Sequence, residues 1–410
     1  MNRNGLTPSR FRFLLILAAF VIMMIISIYQ YSWFLFAYVI QKHLKWNLAQ
    51  IGLTFTIFTY NATFIQPFSG FIADTYGPRK ISLAASLLVG IGFILSSYSF
   101  SPHGLYLFYG LGGLGVGILY GISTSCAIKW FPEKRGLVTG VVVFGFGAGT
   151  AFFNWFIQRL LESKGLQSSL MSIGFLMLIT LIPLSLFHKY PPKDSPSLSS
   201  ADKKTVGTSS NFAPNEMFKT HQWYLIYFSF TVTVSIVLMF GAQMKMLAKE
   251  FDLPRNYFDL LLVLFPLGNG LSRVIAGAVS DQIGREKTMM IFYAFLGISI
   301  LCFVGLSHIP LLFVALVFIA TLLGGAPFAL YPAIIGDYYG IHYSTTNYGL
   351  TYTAKSWAGL VSGWLSGYLV MQFGSYKIPL IFIALGSLLA ALLSSPYLLK
   401  APIKKKNVLT

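Results

Sequence analysis

Two basic residues, Arg273 and Lys355, interrupt long apolar runs of the sequence. Arg273 lies 8 residues before Asp281, and Lys355 lies 8 residues after Asn347. At 1.5 Å per residue, each is expected about 12 Å from the polar end of its helix, so the two cations share one level. Arginine offers a planar fork that suits a carboxylate, and lysine offers a compact charge. The pair therefore predicts a site for one small dicarboxylate, or for a monocarboxylate with water.

None of the twelve acidic residues is expected at the depth of these cations. We place Asp74, Glu133, Asp281, Glu286 and Asp337 at helix ends on the side of the chain termini, Asp194, Asp202 and Glu216 in a central polar segment, and Glu162, Glu250, Asp252 and Asp259 on the opposite side. Two buried cations without a partner are strongly unfavourable, so an anion in a water-accessible cavity is the natural complement. The alternative is that Lys355 is neutral, or that both side chains reach the surface.

The composition shows which elements must position these residues. The chain has 410 residues, of which 55% are hydrophobic and only 10% charged, whereas a soluble domain carries about 25% charged residues. A soluble enzyme is excluded, and about a dozen spans of roughly 20 residues fit the length. We predict an all-α membrane protein of twelve transmembrane helices in two pseudo-symmetric six-helix halves. The halves are residues 1–187 and 223–410, joined by a Pro-, Ser- and Lys-rich flexible linker at 188–222.

The net charge of +17 follows the membrane topology. Of the 29 basic residues, we place 19 on the side of the termini and 8 on the other side, which leaves Arg273 and Lys355. By the positive-inside rule both termini are cytoplasmic, and the expected location is a bacterial inner (plasma) membrane. No basic amphipathic element or zinc-finger spacing accompanies the charge, so nucleic acid is not an expected partner. The expected partners are a small carboxylate and membrane lipid, and the expected state is a monomer.

One sequence motif occurs twice, at an offset of 207 residues. Gly70–Lys80 and Gly277–Lys287 share the pattern G-x-x-x-D-x-x-G, followed by Pro-Arg-Lys in the first copy and by Arg-Glu-Lys in the second, which predicts a duplicated six-helix unit. Glycine lets two helix ends approach, and an aspartate can accept hydrogen bonds at a facing helix N-terminus. We therefore assign conformational gating to Asp74, Arg79, Asp281 and Arg285.

Polar and aromatic residues in the spans complete the predicted site. The 207-residue offset makes Gln66 the counterpart of Arg273, either as a neutral donor to substrate or as a structural interhelical hydrogen bond. Gln30 and Tyr31 lie in the first span and could face the cavity. The predicted aromatic box consists of Tyr120, Phe328, Tyr331 and Tyr352. Ordinary interhelical packing is the alternative for any one of these rings.

The duplicated motif, the two six-helix halves and the long middle segment resemble the major facilitator superfamily of secondary transporters. Further stretches resemble its oxalate:formate antiporter family: Gln30–Trp33, Tyr120–Ile122, Trp130–Gly136, the region of Arg273, and Asn347–Gly349 followed by Ala354 and Lys355. This resemblance implies alternating access by a rocker-switch, with substrate bound between the halves by Arg273 and Lys355. The sequence departs from that family at Tyr352, where the family pattern has Trp, and near Gly324, where it has an aromatic residue. A larger carboxylate than oxalate is therefore allowed.

The sequence predicts a secondary transporter of small organic anions, most simply a carboxylate exchanger. All six histidines lie in loops or at helix ends, so no titratable acid or histidine is expected along the path, and exchange needs none. The first alternative is a proton-coupled symporter of a monocarboxylate such as lactate, pyruvate or formate, and the second is an anion-sensing receptor on a transporter scaffold. No spaced metal ligands or nucleophile–base set occur at depth, so we expect no catalytic residues, metal ion or cofactor.

Overall fold

The fold is described from a computed structural model that covers residues 8–99, 101–131, 135–191, 211–340 and 343–403, without the side chains of residues 8–10, 74, 135, 136, 344 and 345. Within these ranges the ordered elements are helices, and no strand is present. We call residues 8–191 the N-terminal half and residues 211–403 the C-terminal half.

The N-terminal half contains eight helical segments. They are α1 (Pro8–Ile26), α2 (Ile28–Tyr31), α3 (Trp33–Leu44), α4 (Leu48–Tyr76), α5 (Pro78–Ser96), α6 (Pro102–Trp130), α7 (Arg135–Ala148) and α8 (Thr150–Ser185). The first predicted span is thus broken into α1, α2 and α3 by turns at Ser27 and Ser32. These breaks isolate the short helix α2, which carries Gln30 and Tyr31.

The C-terminal half begins with one short helix and continues with longer ones. Its elements are α9 (Pro214–Met217), α10 (His221–Glu250), α11 (Arg255–Ile283), α12 (Arg285–Leu306), α13 (Pro310–Gly324), α14 (Pro327–Tyr339), α15 (Ser344–Tyr352), α16 (Ala354–Leu360), a π-helical turn (Val361–Leu365), α17 (Ser366–Phe373) and α18 (Lys377–Leu393). Lys355 lies at the start of α16, just after the break at Thr353 that ends α15. Arg273 lies within the long continuous helix α11.

The repeated motif adopts the same backbone conformation in both copies. Gly77 separates α4 from α5 with φ +88° and ψ 149°, and Gly284 separates α11 from α12 with φ +92° and ψ 157°. A positive φ of this kind is accessible to glycine without the steric cost that a Cβ would bring. The glycine of the motif therefore makes the sharp reversal between two antiparallel helices in each half.

Nine helices in the described ranges are long and apolar enough to cross a membrane. One candidate stretch, 49 residues from Leu137 to Ser185, contains a break at Gly165, whose φ is +73°. The last helix, α18, is apolar but only 17 residues long. The chain is therefore an integral membrane protein by its helices, and the count of twelve spans stays a prediction.

Hydrogen bonds define two ends of the helix bundle. At one end of the bundle, Arg12 donates to the carbonyl of Trp130 and Tyr338 donates to the carbonyl of Leu399. Arg12 and Leu399 lie close to the two chain termini in sequence, so we call this end of the bundle the terminal face. The other end, where Glu162 bonds to Arg255, is the distal face. The assignment of the terminal face to the cytoplasm stays a prediction.

The main contacts between the two halves fall into three groups of helices. In the packing, α4 lies against α16, the π-turn and α17; α7 and α8 lie against α11; and α3 lies against α10. The closest approaches use glycine: a Cβ on Gly147 would lie 2.9 Å from Cα of Gly270, and a Cβ on Gly52 would overlap the carbonyl of Gly363. Gly52 is near the distal start of α4, so the halves are tightly closed on the distal side.

The described ends of the predicted linker are packed against the bundle rather than extended from it. Phe212 is buried and its backbone NH donates to the Tyr339 carbonyl at 2.9 Å, and Met217 of α9 is fully buried. His188 is also fully buried, between Ser82 Oγ at 2.8 Å and Ser123 Oγ at 3.2 Å. The described ends of the predicted linker are therefore part of the packed bundle, and residues 192–210 lie outside the described part.

Burial of His188 makes a prediction for stability against pH. The pKa of His188 falls from 6.5 to about 4 because burial disfavours the charged imidazolium. Since the folded-state pKa lies below the unfolded value, the stability is fully present above pH 6.5 and is lost as the pH falls towards 4. The loss amounts to about 3 kcal/mol from this residue. Thermal unfolding of H188Q in detergent should show a weaker pH dependence in this window than wild type.

The control for this prediction is H103Q, because His103 is an exposed histidine of the same half. H103Q should keep the pH dependence of the wild-type protein. An H188Q protein whose unfolding temperature follows pH as the wild type does would show that His188 is not held neutral by the fold.

Candidate functional site

Both predicted cations lie against the same turn of α7. Arg273 donates from Nη1 to the carbonyl of Val143, and a Cβ on Gly147 would lie 3.2 Å from its Cζ. Lys355 places Nζ 5.7 Å from the ring centroid of Phe146. Arg273 and Lys355 belong to the C-terminal half and α7 to the N-terminal half. The two charges therefore meet at the seam between the halves.

The two cations are buried and lack a carboxylate partner in the described part of the chain. Arg273 is 5% exposed and Lys355 3% exposed, so neither side chain reaches the surface, and the surface alternative of the sequence reading is wrong. The ion pairs among the described residues are Glu162–Arg255, Asp281–Arg285 and Asp337–Arg285. Lys355 Nζ reaches only the Tyr352 hydroxyl, at 3.4 Å, which is long for a hydrogen bond. The charges are thus left largely uncompensated.

Three of the four predicted aromatic residues surround the cations. Arg273 stacks on Phe328 with Cζ 4.8 Å from the ring centroid, and Lys355 Nζ lies 5.5 Å from the ring of Tyr352. Tyr352 in turn lies 6.3 Å from Phe328 and 6.1 Å from Tyr120, with the Tyr120 ring nearly parallel. Cation–π contacts of this kind offset part of the desolvation of a buried charge. The rings join the two charges into one apolar-walled region.

Tyr331 lies one layer behind this region. Its ring stacks on Phe230 at 4.5 Å, and its hydroxyl accepts a 3.1 Å hydrogen bond from Tyr293. Phe230 is itself 5.9 Å from Tyr352, so Tyr331 supports the aromatic wall from within the C-terminal half. In this conformation Tyr331 has the packing role that the sequence left open as the alternative.

Gln30 and Tyr31 bring unpartnered polar atoms to the seam. A Cβ on Gly241 of α10 would lie 2.9 Å from the Gln30 carbonyl oxygen and 3.4 Å from Cδ1 of Tyr31. The Tyr31 ring lies 5.6 Å from Phe146, the residue that also faces Lys355. Among the described residues, the amide atoms of Gln30 and the hydroxyl of Tyr31 make no hydrogen bond of regular geometry although both side chains are buried, and the Tyr31 hydroxyl lies near Gln30 and Asn269. Buried polar groups without well-formed hydrogen bonds are costly, so these groups are available to bind a polar ligand or water.

Asn269 belongs to the same region and was not predicted. It lies four residues before Arg273 on α11, which places both side chains on one face of the helix. Its Nδ2 donates to the carbonyl of Gly147 at 3.3 Å, while its Oδ1 has no partner among the described residues. The i, i+4 spacing could have identified Asn269. Phe146 was also missed, because nothing distinguishes it from the other apolar residues of a glycine-rich span.

Gln66 lies at the contact between α4 and α6. Its Nε2 donates to the carbonyl of Ala62 at 3.1 Å, and its Cγ lies 3.9 Å from where a Cβ on Gly121 would be. This hydrogen bond lies within α4 itself. The two predicted roles of Gln66, as a donor to substrate or as a structural bond between helices, therefore stay predictions. Gly324 is a packing contact, because a Cβ there would lie 2.7 Å from Cγ2 of Ile236.

The C-terminal copy of the gating motif forms a charged cluster on the terminal face. Arg285 donates to Asp281 at 2.6 Å and to Asp337 of α14 at 3.2 Å. The hydrogen bond that Asp281 accepts therefore comes from an arginine side chain and not from the backbone NH groups of a facing helix N-terminus. Arg285 can reach Asp281 because it is the first residue of α12, directly after the reversal at Gly284. In the N-terminal copy Arg79 is exposed, and the side chain of Asp74 lies outside the described residues.

Comparisons with known proteins agree with this architecture. The sequence profile of the Major Facilitator Superfamily matches residues 15–245 and 226–410. An oxalate:formate antiporter of Oxalobacter formigenes is 30% identical over 372 residues, which cover 90% of this chain and 87% of that protein. A probable sulfoacetate transporter of Cupriavidus necator is 23% identical over 372 residues, covering 85% of each chain.

Among solved structures, a crystal structure of a nucleoside transporter superposes with a TM-score of 0.69. It covers 93% of this chain and 98% of its own, at 13% sequence identity, and it shows the shared fold alone. Together with the profile match over both halves, these relatives confirm the resemblance on which the sequence reading relied. The chain is therefore a membrane transporter of the major facilitator superfamily and not an enzyme.

Proposed function

We propose that the protein exchanges small organic anions, mono- or dicarboxylates, across the membrane by alternating access. The observation that carries the proposal is the pair of buried cations, Arg273 and Lys355, at the seam between the halves. Their charges repel each other, and no described carboxylate neutralises them. A small anion that bridges both cations relieves this repulsion.

The polar atoms around the cations suit a carboxylate. Arg273 Nε and Gln30 Nε2 are donors without a well-formed hydrogen bond, the Tyr31 hydroxyl can donate, and Asn269 Oδ1 can accept a hydrogen bond from water. The rings of Phe328 and Tyr352 exclude bulk water, which strengthens each charge–charge contact. A bound carboxylate would turn its oxygens to the cations and its flat faces to the rings.

The same electrostatics favour exchange over uniport. In the empty transporter, closing the seam around two like charges costs free energy, because both must be desolvated without a partner. In the loaded transporter the anion supplies that partner. If only the loaded form reorients, each anion that leaves must be replaced by another, which is antiport.

We place the transporter in a bacterial inner membrane with twelve spans, both termini in the cytoplasm and the protein a monomer. The break at Gly165 divides the 49-residue stretch into two spans, and α15–α17 and α18 supply two further ones. With this topology the distal face is external, and the glycine contacts near Gly52 close the site from that side.

Exchange is tested with purified protein in liposomes preloaded with unlabelled carboxylate. Uptake of labelled oxalate, formate, lactate and succinate should depend on internal counter-substrate, because only the loaded form reorients. Uptake into empty vesicles driven by external acid would instead show proton symport. A protein that binds carboxylates without moving any of them would be a sensor.

An acid introduced beside Arg273 should replace the substrate. N269D replaces the side-chain amide with a carboxylate of nearly the same shape, one helical turn from Arg273. We expect a higher unfolding temperature without ligand and the loss of stabilisation by added carboxylate, since the counter-ion is now internal. The measurement is thermal unfolding in detergent with and without substrate.

The matched control is N154D, which alters a buried asparagine of the same seam that bonds to Ser32 and to the Leu262 carbonyl. It should lower the unfolding temperature and retain stabilisation by substrate. If N269D retains the full substrate-dependent shift, the anion does not bind at Arg273.

The size of the substrate should depend on Tyr352. This ring is packed among Tyr120, Tyr348 and Phe328 at 5.6 to 6.3 Å, so a larger ring must reduce the free space. Y352W should raise the preference for oxalate over succinate by about 10-fold, the discrimination that one or two methylenes typically give. Competition against labelled exchange measures the ratio. Y352F keeps the ring size and should leave the ratio near the wild-type value; an unchanged ratio in Y352W would remove Tyr352 from the wall.

A further inference from the structure

A cavity opens at the distal face, on the seam between the halves. Its volume is about 380 Å³. The residues of its wall that carry charge or hydrogen bonds are Gln158 and Glu162 from the N-terminal half and Lys245, Lys249, Asp252 and Arg255 from the C-terminal half. The bases of the wall thus all lie on one half, and an acid of the other half faces them.

Two polar bonds cross the seam at this cavity. Arg255 Nη2 donates to both carboxylate oxygens of Glu162, at 2.8 and 2.9 Å. Gln158 Nε2 donates to Asp259 Oδ1 at 2.9 Å. These bonds must break when the halves separate at the distal face.

Lys245 lies close to the ion pair, between two aromatic rings. Its Nζ lies 5.0 Å from the ring of Tyr38 in the N-terminal half and 5.5 Å from the ring of Phe258 in the C-terminal half. Its charge interacts with that of Glu162. Glu162 therefore occupies the position in which Arg255 would hold a free carboxylate, with the charge of Lys245 close by.

The ion pair is weak enough for a dissolved anion to displace it. The side chains of Arg255 and Glu162 are 62% and 41% exposed. An ion pair this exposed contributes little free energy to stability and is screened by salt. When Glu162 leaves, the cavity retains three bases against Asp252 alone, so its wall is cationic.

We propose that this cavity is a capture site for small carboxylate anions, at which the anion displaces Glu162 from Arg255 and so removes one of the polar contacts that join the halves at the distal face. Glu162 acts as a tethered substitute for the anion. The capture site rests on the proposed function, because its ligand is the anion that the central site exchanges. It couples the arrival of substrate at the distal face to opening of that face.

The test measures exchange in right-side-out and inside-out membrane vesicles, with oxalate and succinate as the probes. R255Q should raise KM for anion supplied to the distal face about fivefold relative to KM from the terminal face. E162Q removes the competitor and should lower the same ratio. R159Q is the control, because Arg159 is an exposed base on α8 that stacks on Trp155 and does not line the cavity.

The charge-swapped variant E162R/R255E separates capture from a simple bond between the halves. It rebuilds the ion pair but puts a glutamate in place of the arginine on the C-terminal side of the cavity, beside Lys245 and Lys249, so the KM ratio should stay raised. Full recovery of the wild-type ratio, or an unchanged ratio in both R255Q and E162Q, would overturn the capture site while exchange itself stands. A wild-type protein that exchanges no carboxylate would instead overturn the proposed function, and the capture site with it.

A second readout follows the cavity without transport. Ser163 is exposed and lies next to Glu162 in the sequence. S163C, labelled with an environment-sensitive fluorophore in a C302S background that removes the exposed native cysteine, reports changes around Glu162. Oxalate should change the fluorescence with a half-saturating concentration that rises in R255Q. A response that is the same in R255Q would show that the anion does not bind at Arg255.

Discussion

The desolvation of two like charges at one seam is the constraint on which the structure depends. Arg273 and Lys355 are buried against one turn of α7, and no described carboxylate stands near them. Removing two charges from water without a partner is unfavourable, and the surrounding rings and one backbone carbonyl compensate only in part. A bound anion, as we propose, would supply the partner that the described residues do not.

The helix packing turns this local electrostatic requirement into a conformational one. The cations belong to the C-terminal half, whereas α7 and α2, with their unpartnered polar atoms, belong to the N-terminal half. Any anion held by both sets of groups therefore stabilises the closed seam. The glycine contacts at Gly147 and Gly270 allow the backbones to approach closely without interlocked side chains, which suits two bodies that must separate again.

Much of the fold and the centre of the site could be predicted from the sequence, because charge in an apolar run and a duplicated motif are strong local signals. Arg273 and Lys355 follow from charge in apolar runs, and the repeated motif contains Gly77 and Gly284, at which the structure then shows the chain reversals. Tyr331 and Tyr352 give the same signal in sequence, and only packing shows that Tyr331 stacks behind the wall. The burial of His188 could not be foreseen from a loop position, nor could the ion pair of Glu162 and Arg255, whose partners are 93 residues apart.

The most direct measurement is a double-mutant cycle on carboxylate binding, by titration calorimetry of wild type, R273Q, K355Q and the double variant. If both cations hold one anion, each single change should weaken Kd for the best-exchanged dicarboxylate about 100-fold, as loss of one partner of a buried charge pair does. The double change should then cost less than the sum of the two. Unchanged affinity in either single variant, or strictly additive losses, would contradict a single anion bridging Arg273 and Lys355.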